Sequence, residues 1–453
     1  MRSTSLIHKL VPPLSAVVLA LLASPAEAVP SYARQTGQAC VACHVSFPEL
    51  TPYGRWFKLS GYTIGVRQDI PVAGMAIGGI TSIKQNDDGS GMPVTARNNL
   101  PAFNQASIFL AGKVTDNIGG FVQYTYAQTY NTDGTGSGHS GIDNTDLRAV
   151  GRMDSLDENS VKLLYGVTLH NNPTAQDVWN STPAFGFPFT TSPTALRPTA
   201  GTQLEGALGQ QVAGLGAYVF YDRTWYAELT GYKTADGVFS FLRHGQDTGT
   251  PGGVARLQGG NPYVRLAYNK EWGAQSMMVG AFALRVKRYL DNTDPTAGTN
   301  RYTDRGVDAQ YQYISHPHTI TAQARYIVER QDHRTSFAQG LTSNTNDRLH
   351  SSQVKATYYF ESRYGVTLSH FAIGGNADAL LYPAGNVTGN ANGKPDSRGE
   401  ILELDYLPLQ NVRLMTQYIR YSKFNGGRSG YDGVTSRNAS DNNTLLFDLW
   451  VAY

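Results

Sequence analysis

The sequence predicts an all-β outer-membrane β-barrel of about 16 antiparallel strands, preceded by a small α-helical segment at the N-terminus. Three observations support this prediction. Apolar and polar residues alternate with a period of two through most of the chain after residue 70. Short and long connections alternate between the predicted strands. No apolar stretch in the 453 residues approaches the ~20 residues that a membrane-spanning helix needs.

The first 28 residues are typical of an export signal. Arg2 and Lys9 supply the positive charge, an apolar stretch of about 14 residues follows, and Ala26-Glu27-Ala28 forms a small-residue cleavage site. We therefore expect the mature chain to begin near Val29 and to leave the cytoplasm.

Cys40, Cys43 and His44 form a C-x-x-C-H motif that contains both cysteines of the chain. Two thiols at this spacing can each add to a vinyl group of one haem, and the adjacent imidazole can then bind the iron as the proximal ligand. A disulfide or redox pair is the alternative for the two cysteines. The export signal and the lack of a third cysteine favour one covalent haem c, so we expect electron transfer or haem chemistry.

A short helix is predicted directly after this motif. Thr51 can cap it, Pro52 can take its first position and Gly61 can end it. Such a helix would cover one face of the haem. Arg55 and Lys58 on its polar side are candidate partners for the haem propionates, and solvated basic side chains are the alternative.

The rest of the chain divides into strands by its alternation. In the final strand, for example, Leu445, Phe447 and Leu449 share one face, whereas Thr444 and Asp448 share the other. Apolar residues are expected toward lipid and polar residues toward the lumen. The predicted strands lie near residues 70–83, 103–115, 120–129, 144–153, 161–170, 209–220, 225–233, 262–270, 277–288, 304–314, 318–329, 350–360, 364–373, 398–406, 411–421 and 443–453.

The connections indicate which end of the barrel faces the periplasm. Short links recur after every second strand, at residues 115–117, 222–224, 270–273, 315–317, 361–363 and 407–410. Long Gly- and Asn-rich stretches separate them, at residues 84–102, 171–208, 234–261, 374–397 and 422–442. Outer-membrane barrels have short periplasmic turns and long outer loops. We therefore expect strict alternation, with the N-terminal segment on the periplasmic side.

The stretches YARQTGQACVACH (residues 32–44), FPELTPYGR (47–55) and FKLSGY (57–62) resemble the fused monohaem c-type cytochrome–porins of bacterial outer membranes. Some members of that family oxidise ferrous iron outside the cell. The resemblance implies that Cys40 and Cys43 attach the haem and that His44 is an axial ligand. The resemblance also implies Fe(II) as a substrate, although only part of the family oxidises iron. Oxidation of ferrous iron as an enzymatic activity follows from this resemblance alone.

Two residues are candidates for the distal iron ligand. Met75 lies on the first predicted strand, where a modest loop could bring it to the iron, and an ordinary apolar strand residue is the alternative that the alternation favours. His170 lies in the lumen register of its strand and opens a loop of nearly 40 residues, which is long enough to fold inward and constrict the pore. A surface loop held by packing of its proline and tryptophan residues is the alternative. Methionine ligation would give the higher potential. Carboxylates predicted to face the lumen could also guide cations, namely Glu228, Asp308, Glu329, Glu403 and Asp405.

These features divide the chain into a signal peptide (residues 1–28), a monohaem cytochrome segment that plugs the barrel from below (29–68) and a porin-like barrel in the Gram-negative outer membrane (69–453). We expect electrons to pass from an extracellular donor, with Fe(II) first, to a periplasmic cytochrome or copper carrier. The alternatives are a conduit for another external redox partner, a diffusion porin whose haem segment is a redox-sensing or structural plug, and a soluble β-sandwich haem protein. The net charge of +2 gives no reason to expect a nucleic-acid partner.

Overall fold

The computed structural model describes residues 30–154, 161–245 and 253–453. The predicted signal peptide lies outside these residues. The sixteen barrel strands found in the described part of the chain are β1 (Val72–Ile83), β2 (Pro101–Lys113), β3 (Ile118–Tyr130), β4 (Gly136–Asp154), β5 (Val161–His170), β6 (Val212–Tyr221), β7 (Trp225–Thr234), β8 (Asn261–Trp272), β9 (Gln275–Tyr289), β10 (Thr299–Ser315), β11 (His318–Asp332), β12 (Asn346–Phe360), β13 (Tyr364–Gly375), β14 (Ser397–Leu409), β15 (Val412–Lys423) and β16 (Thr444–Ala452).

Every strand pairs antiparallel with its neighbours in the chain, and β16 pairs with β1 to close the barrel. At this seam Leu449 is opposite Gly78 and Ala452 is opposite Met75. Gly79 is required there, because a Cβ atom would overlap the carbonyl oxygen of Phe447 on β16. The predicted all-β barrel of about 16 strands is therefore confirmed.

The two faces of the strands differ in polarity as the alternation predicted. Val279, Val307 and Val354 point outward and remain 52–54% exposed. Gln312 and Glu329 point into the lumen and are fully buried. A closed barrel with an apolar outer belt is the architecture of outer-membrane proteins, because lipid covers the belt and no strand edge stays unpaired. The chain is thus an outer-membrane barrel, and the alternative of a soluble β-sandwich is wrong. Among the described residues, no helix is both long and apolar enough to cross a bilayer.

The connections sort to two ends of the barrel, with one exception. Links of two to four residues join β2 to β3, β6 to β7, β8 to β9, β10 to β11, β12 to β13 and β14 to β15. Most connections at the opposite end are long. The turn at residues 131–135 is short, however, because β3 and β4 continue past their neighbours as a projecting hairpin. The prediction of strict alternation, and of a strand beginning only near residue 144, is wrong at this hairpin.

The N-terminal segment lies inside the barrel, and we call residues 30–68 the plug. It contains α1 (Pro30–Thr36), α2 (Cys40–Cys43), a two-stranded ladder (His44–Ser46 with Glu49–Leu50) and α3 (Pro52–Leu59). The Tyr32 hydroxyl donates to the carbonyl of Gly120 at 3.0 Å. The backbone N–H of Cys40 donates to Gln410 Oε1 at 3.2 Å. Both contacts are near short turns, so the plug enters from the short-turn end.

The loop between β5 and β6 fills the lumen next to the plug, and we call residues 171–211 the inward loop. Trp179 in this loop is 1% exposed, and its carbonyl accepts hydrogen bonds from Gln310 Nε2 at 2.6 Å and Gln323 Nε2 at 2.9 Å. The loop thus reaches across to the wall formed by β10 and β11. The prediction that it folds inward and constricts the pore is confirmed. The inward loop also contains a π-turn (Gln203–Ala207) and a short 3-10 turn (Pro183–Phe185). The other long loops contain α4 (Arg334–Ala338) and three 3-10 turns (Gly237–Leu242, Pro295–Ala297 and Ala439–Asn442).

Candidate functional site

A cavity of about 390 Å³ lies between the plug, the barrel wall and the inward loop. Cys40, Cys43 and His44 line it from the plug, and Met75 lines it from β1. Because Met75 is paired with Ala452 at the last position of β16, the cavity lies in the short-turn half of the lumen. Its volume is in the range of ordinary cofactor and ligand sites. The structure therefore brings five of the predicted site residues to one space, because Lys58 of the plug lines the cavity as well.

The local fold of the plug holds the C-x-x-C-H motif rigidly. The Thr51 side chain caps α3 by accepting from the Gly54 N–H at 3.1 Å, and its hydroxyl donates to the Ala42 carbonyl at 2.5 Å. The Thr51 N–H donates to the Cys43 carbonyl at 2.9 Å. Gly54 allows α3 to lie directly against this turn, because a Cβ atom would overlap the carbonyl oxygen of Cys43. The predicted cap at Thr51 and helix start at Pro52 are confirmed.

His44 lies on the cavity wall against the ring of Phe47. Its ring lies 5.2 Å from the ring of Phe47, which in turn lies 6.2 Å from Trp450 of β16. Burial lowers the pKa of His44 to about 4 and raises the pKa of the Cys43 thiol to about 11. Both side chains are therefore uncharged at neutral pH. Among the described residues, Nδ1 of His44 is buried and has no hydrogen-bond partner.

The two candidates for a distal ligand have different positions. Met75 points into the lumen and lines the same cavity as His44. His170 is fully buried outside the cavity, where its Nε2 is 2.7 Å from the hydroxyl of Tyr232. Of the two, Met75 is the residue that the structure brings together with the motif.

Arg55 and Lys58 both form hydrogen bonds with other residues of the protein. Arg55 donates to Gln310, Gln312 and Ser276 at 2.5–3.1 Å, and it is not among the residues that line the cavity. Lys58 lines the cavity, but its Nζ donates to the carbonyls of Ala175 at 2.6 Å and Asp177 at 2.8 Å. Arg55 therefore joins the plug to β9 and β10, and Lys58 joins the plug to the inward loop. The structure does not bring Arg55 to the position expected of a propionate partner.

Several residues of this cavity did not emerge from the sequence. Phe185 and Phe189 of the inward loop cover its outer side, and Trp450, Phe109 and Phe121 line it from the barrel. The three barrel residues carried a detectable signal, since they are aromatic residues at lumen-facing positions where polar side chains are the rule. The two loop residues carried none, because a loop has no periodicity that indicates its direction.

The lumen carboxylates do not converge on a shared metal site. Glu403 and Asp405 both pair with Arg413, at 2.6 Å and 2.8 Å, and Asp308 pairs with Arg265 at 2.7 Å. Within the described residues, no group of three or more His, Cys, Asp or Glu side chains is placed to hold a metal ion. These carboxylates neutralise buried arginines of the wall.

The residues around the cavity fit a covalently held haem. The two cysteines are in one helical turn, the histidine follows directly, and a methionine faces the same space. Aromatic rings form much of the remaining wall, which suits a flat apolar macrocycle. The unpartnered Nδ1 and the neutral imidazole of His44 suit a residue whose ring binds an additional group.

No protein-family model matches the sequence, and no curated protein matches it either. Among solved structures, the chain is similar to the outer membrane channel DcaP of Acinetobacter baumannii (14% identity over 84% of this chain and 96% of that chain, TM-score 0.45). It is also similar to the anion-selective porin from Comamonas acidovorans (10% identity, 84% and 98%, TM-score 0.47) and to the outer membrane protein OmpT of Vibrio cholerae (12% identity, 84% and 98%, TM-score 0.44). The strand pairing of the chain itself defines the closed barrel.

Proposed function

We propose that this protein is an outer-membrane electron-transfer barrel that holds one covalent haem c in its lumen. Electrons would pass from an extracellular donor, with Fe(II) as the first candidate, to a cytochrome or copper carrier in the periplasm. The observation that carries the proposal is the convergence of Cys40, Cys43, His44 and Met75 on one cavity inside a membrane barrel.

A haem bound there would supply reversible one-electron chemistry at its iron. The thiols of Cys40 and Cys43 would hold the group covalently, and His44 and Met75 are the side chains of this cavity that would bind its iron. Phe47, which contacts both His44 and Trp450, fixes the orientation of the imidazole. The aromatic part of the wall lowers the polarity of the cavity around the motif.

The filling of the lumen by the plug and the inward loop favours transfer of electrons over diffusion of solutes. A hydrocarbon layer of ~30 Å insulates the two sides from each other, so a redox centre within the barrel is needed for them to exchange electrons. The plug and the inward loop occupy the lumen together, and Lys58 and Trp179 tie them to each other and to the wall. The alternative function, a diffusion porin, is tested by measuring the conductance of the protein.

The proposal is tested in liposomes that contain trapped ferricyanide, which cannot cross the bilayer. Purified haem-loaded protein is reconstituted, Fe(II) is added outside at neutral pH, and the absorbance of the trapped oxidant is followed. The matched control is the Cys40→Ala/Cys43→Ala variant, inserted at the same density. We expect the oxidant to be reduced by the wild-type protein and to remain oxidised with the variant.

Three results would contradict this assignment in different ways. If small organic reductants reduce the trapped oxidant but Fe(II) does not, the donor is wrong and another external partner is the function. If neither does, electron transfer is wrong. If the haem-loaded protein gives an open ohmic pore in a planar bilayer, a diffusion porin with a haem plug becomes the better description.

A further inference from the structure

A cluster of basic side chains lies on the lipid-facing surface at the long-loop ends of β9 to β12. These residues have the same register as the outward-pointing apolar residues Val279, Val307 and Val354 below them. They are therefore just above the apolar belt, on the outside of the barrel and not in its lumen. We call them the outer basic patch: Arg285, Lys287, Arg301, Arg305, Arg330 and Arg348.

The strand register places these positive charges directly against one another. Arg330 of β11 is opposite Arg348 of β12, and Lys287 of β9 is opposite Arg301 of β10. Arg285 and Arg330 are both opposite Thr303, one from each side. Like charges at directly opposed positions of a sheet destabilise it. A compensating negative charge is therefore expected at this surface.

The protein itself does not supply that charge. Asp332 is opposite Arg301, but both of its oxygens are held by Arg334, at 2.9 Å and 2.6 Å. Among the described residues, none of the six side chains of the outer basic patch forms a salt bridge. At the outer ends of β14 and β15, by contrast, Arg420 is balanced by Glu400 at 3.7 Å. Arg420 thus has an acidic neighbour on the adjacent strand, whereas Arg330 is opposite another arginine, Arg348.

A depression at the edge of the patch has room for an anionic group. Its volume is about 310 Å³, and it is lined by Lys287, Thr299, Arg301, Asp332, Arg334 and Thr335. The Nε atom of Arg301 is buried, and it has no hydrogen-bond partner within the part of the chain that the structure describes. A buried guanidinium N–H without an acceptor is costly, and an oxygen of a bound anion would satisfy it.

We propose that the outer basic patch binds the phosphate groups of the anionic glycolipid in the outer leaflet. Five of its six members are arginines, whose guanidinium groups pair with phosphate through two parallel hydrogen bonds. The patch lies at the depth of the lipid headgroups, and the apolar residues below it would contact the acyl chains of the same molecule. A free phosphate ion would meet the charge but not the apolar surface. The site does not depend on the haem.

The test compares ligand binding to the haem-loaded, detergent-solubilised protein. Phosphorylated glycolipid, its dephosphorylated form and inorganic phosphate are titrated separately, and affinity is read from the shift in thermal unfolding. The test variant is Arg285→Gln/Arg330→Gln/Arg348→Gln, and the matched control is Arg398→Gln/Arg420→Gln at the outer ends of β14 and β15. The shift of mobility between unboiled and boiled samples on a gel confirms that each variant is a folded barrel.

We expect the phosphorylated glycolipid to bind the wild type and the control variant equally. Binding to the triple variant should be weaker by on the order of 100-fold, since each basic residue near an anionic lipid contributes about fivefold. In neutral detergent without lipid the triple variant should be as stable as the wild type or more so, because repulsion between Arg330 and Arg348 is removed. Equal binding of the dephosphorylated form, equal binding by the triple variant, or equivalent stabilisation by inorganic phosphate would overturn the proposal.

Discussion

Glu49 of the plug and Lys355 of β12 form an ion pair inside the barrel, with both side chains 98–99% buried. The ammonium of Lys355 also lies 5.0 Å from the ring centroid of Phe189 in the inward loop. One barrel side chain therefore contacts the plug and the loop that covers the cavity. This pair therefore helps to position the candidate haem site, because a buried charge must keep its partner.

Replacing Lys355 by methionine should loosen the plug. The carboxylate of Glu49 would be left buried without a cation, which costs about 3–5 kcal/mol. We expect the midpoint of urea-induced plug release, followed by protease cleavage within residues 30–68, to fall markedly. The double variant Glu49→Gln/Lys355→Met removes both charges and should recover most of the loss. Unchanged protease resistance in the single variant would refute this role for the pair.

Attachment of the haem should depend on both cysteines. With Cys40→Ala or Cys43→Ala, one thioether is lost, and with both changes the haem should no longer remain with the denatured chain. The measurement is haem staining on a denaturing gel, combined with the mobility shift of the unboiled barrel. Persistence of the stain in the double variant would exclude covalent attachment through these residues.

The barrel was predictable from the sequence because the membrane constrains both the strands and the loops in a way that the sequence pattern shows. Lipid and lumen impose a period of two, as in Leu445, Phe447 and Leu449, and the membrane forces long loops to one end. The role of Arg55 was not predictable. Helical spacing indicates on which face of the helix a residue lies, but it does not indicate which strands of the barrel that face contacts. The position of Met75 on the same cavity as His44 was likewise not predictable, because the strand pattern gives the lumen-facing side of β1 but not the depth at which the plug docks against it.

Substitutions at Met75 and His170 should separate the two candidate distal ligands. Met75→His should lower the reduction potential by roughly 0.1 V or more, because axial ligands set haem potentials over a range of about 0.8 V and methionine gives the higher values. His170→Asn should leave the potential unchanged, because this histidine is hydrogen-bonded to Tyr232 outside the cavity. Spectroelectrochemical titration measures both. A potential that follows His170 and ignores Met75 would reverse the assignment.

Lys58 should make docking of the plug depend on pH. Burial lowers its pKa to about 8, although the carboxylate of Asp146 offsets part of that effect. Above pH 8 the docked plug carries a neutral Lys58 while the released plug still binds the proton, so docking becomes more favourable as pH rises toward the ordinary pKa of lysine. The gain up to about pH 10.5 should reach about 3 kcal/mol. Urea-induced release is measured from pH 7 to 11 in the haem-loaded wild type and in Lys58→Met, and the gain should appear as the difference between the two proteins. The comparison is needed because burial raises the pKa of Tyr32 and Tyr62, which gives a slope of the opposite sign in both proteins.

Asp177 should keep the lumen closed. Its carboxylate accepts hydrogen bonds from the N–H groups of Trp179, Ser181 and Thr182 and from the Thr182 hydroxyl, at 2.8–3.2 Å, and it lies 3.6 Å from Arg265. The positive charge of Arg265 and these donors hold the pKa of Asp177 below its usual range, so the carboxylate is charged at neutral pH. It organises the part of the inward loop that reaches β10 and β11.

Asp177→Asn should therefore open the pore, since an amide presents N–H groups to backbone donors and leaves them unsatisfied at a cost of about 1–3 kcal/mol each. The matched control is Asp378→Asn, because Asp378 also accepts from several backbone N–H groups but does so in an outer loop away from the inward loop. We expect single-channel conductance in planar bilayers to rise for Asp177→Asn and to stay at the wild-type level for Asp378→Asn. Equal conductance in the two variants would mean that the plug closes the lumen without help from the inward loop.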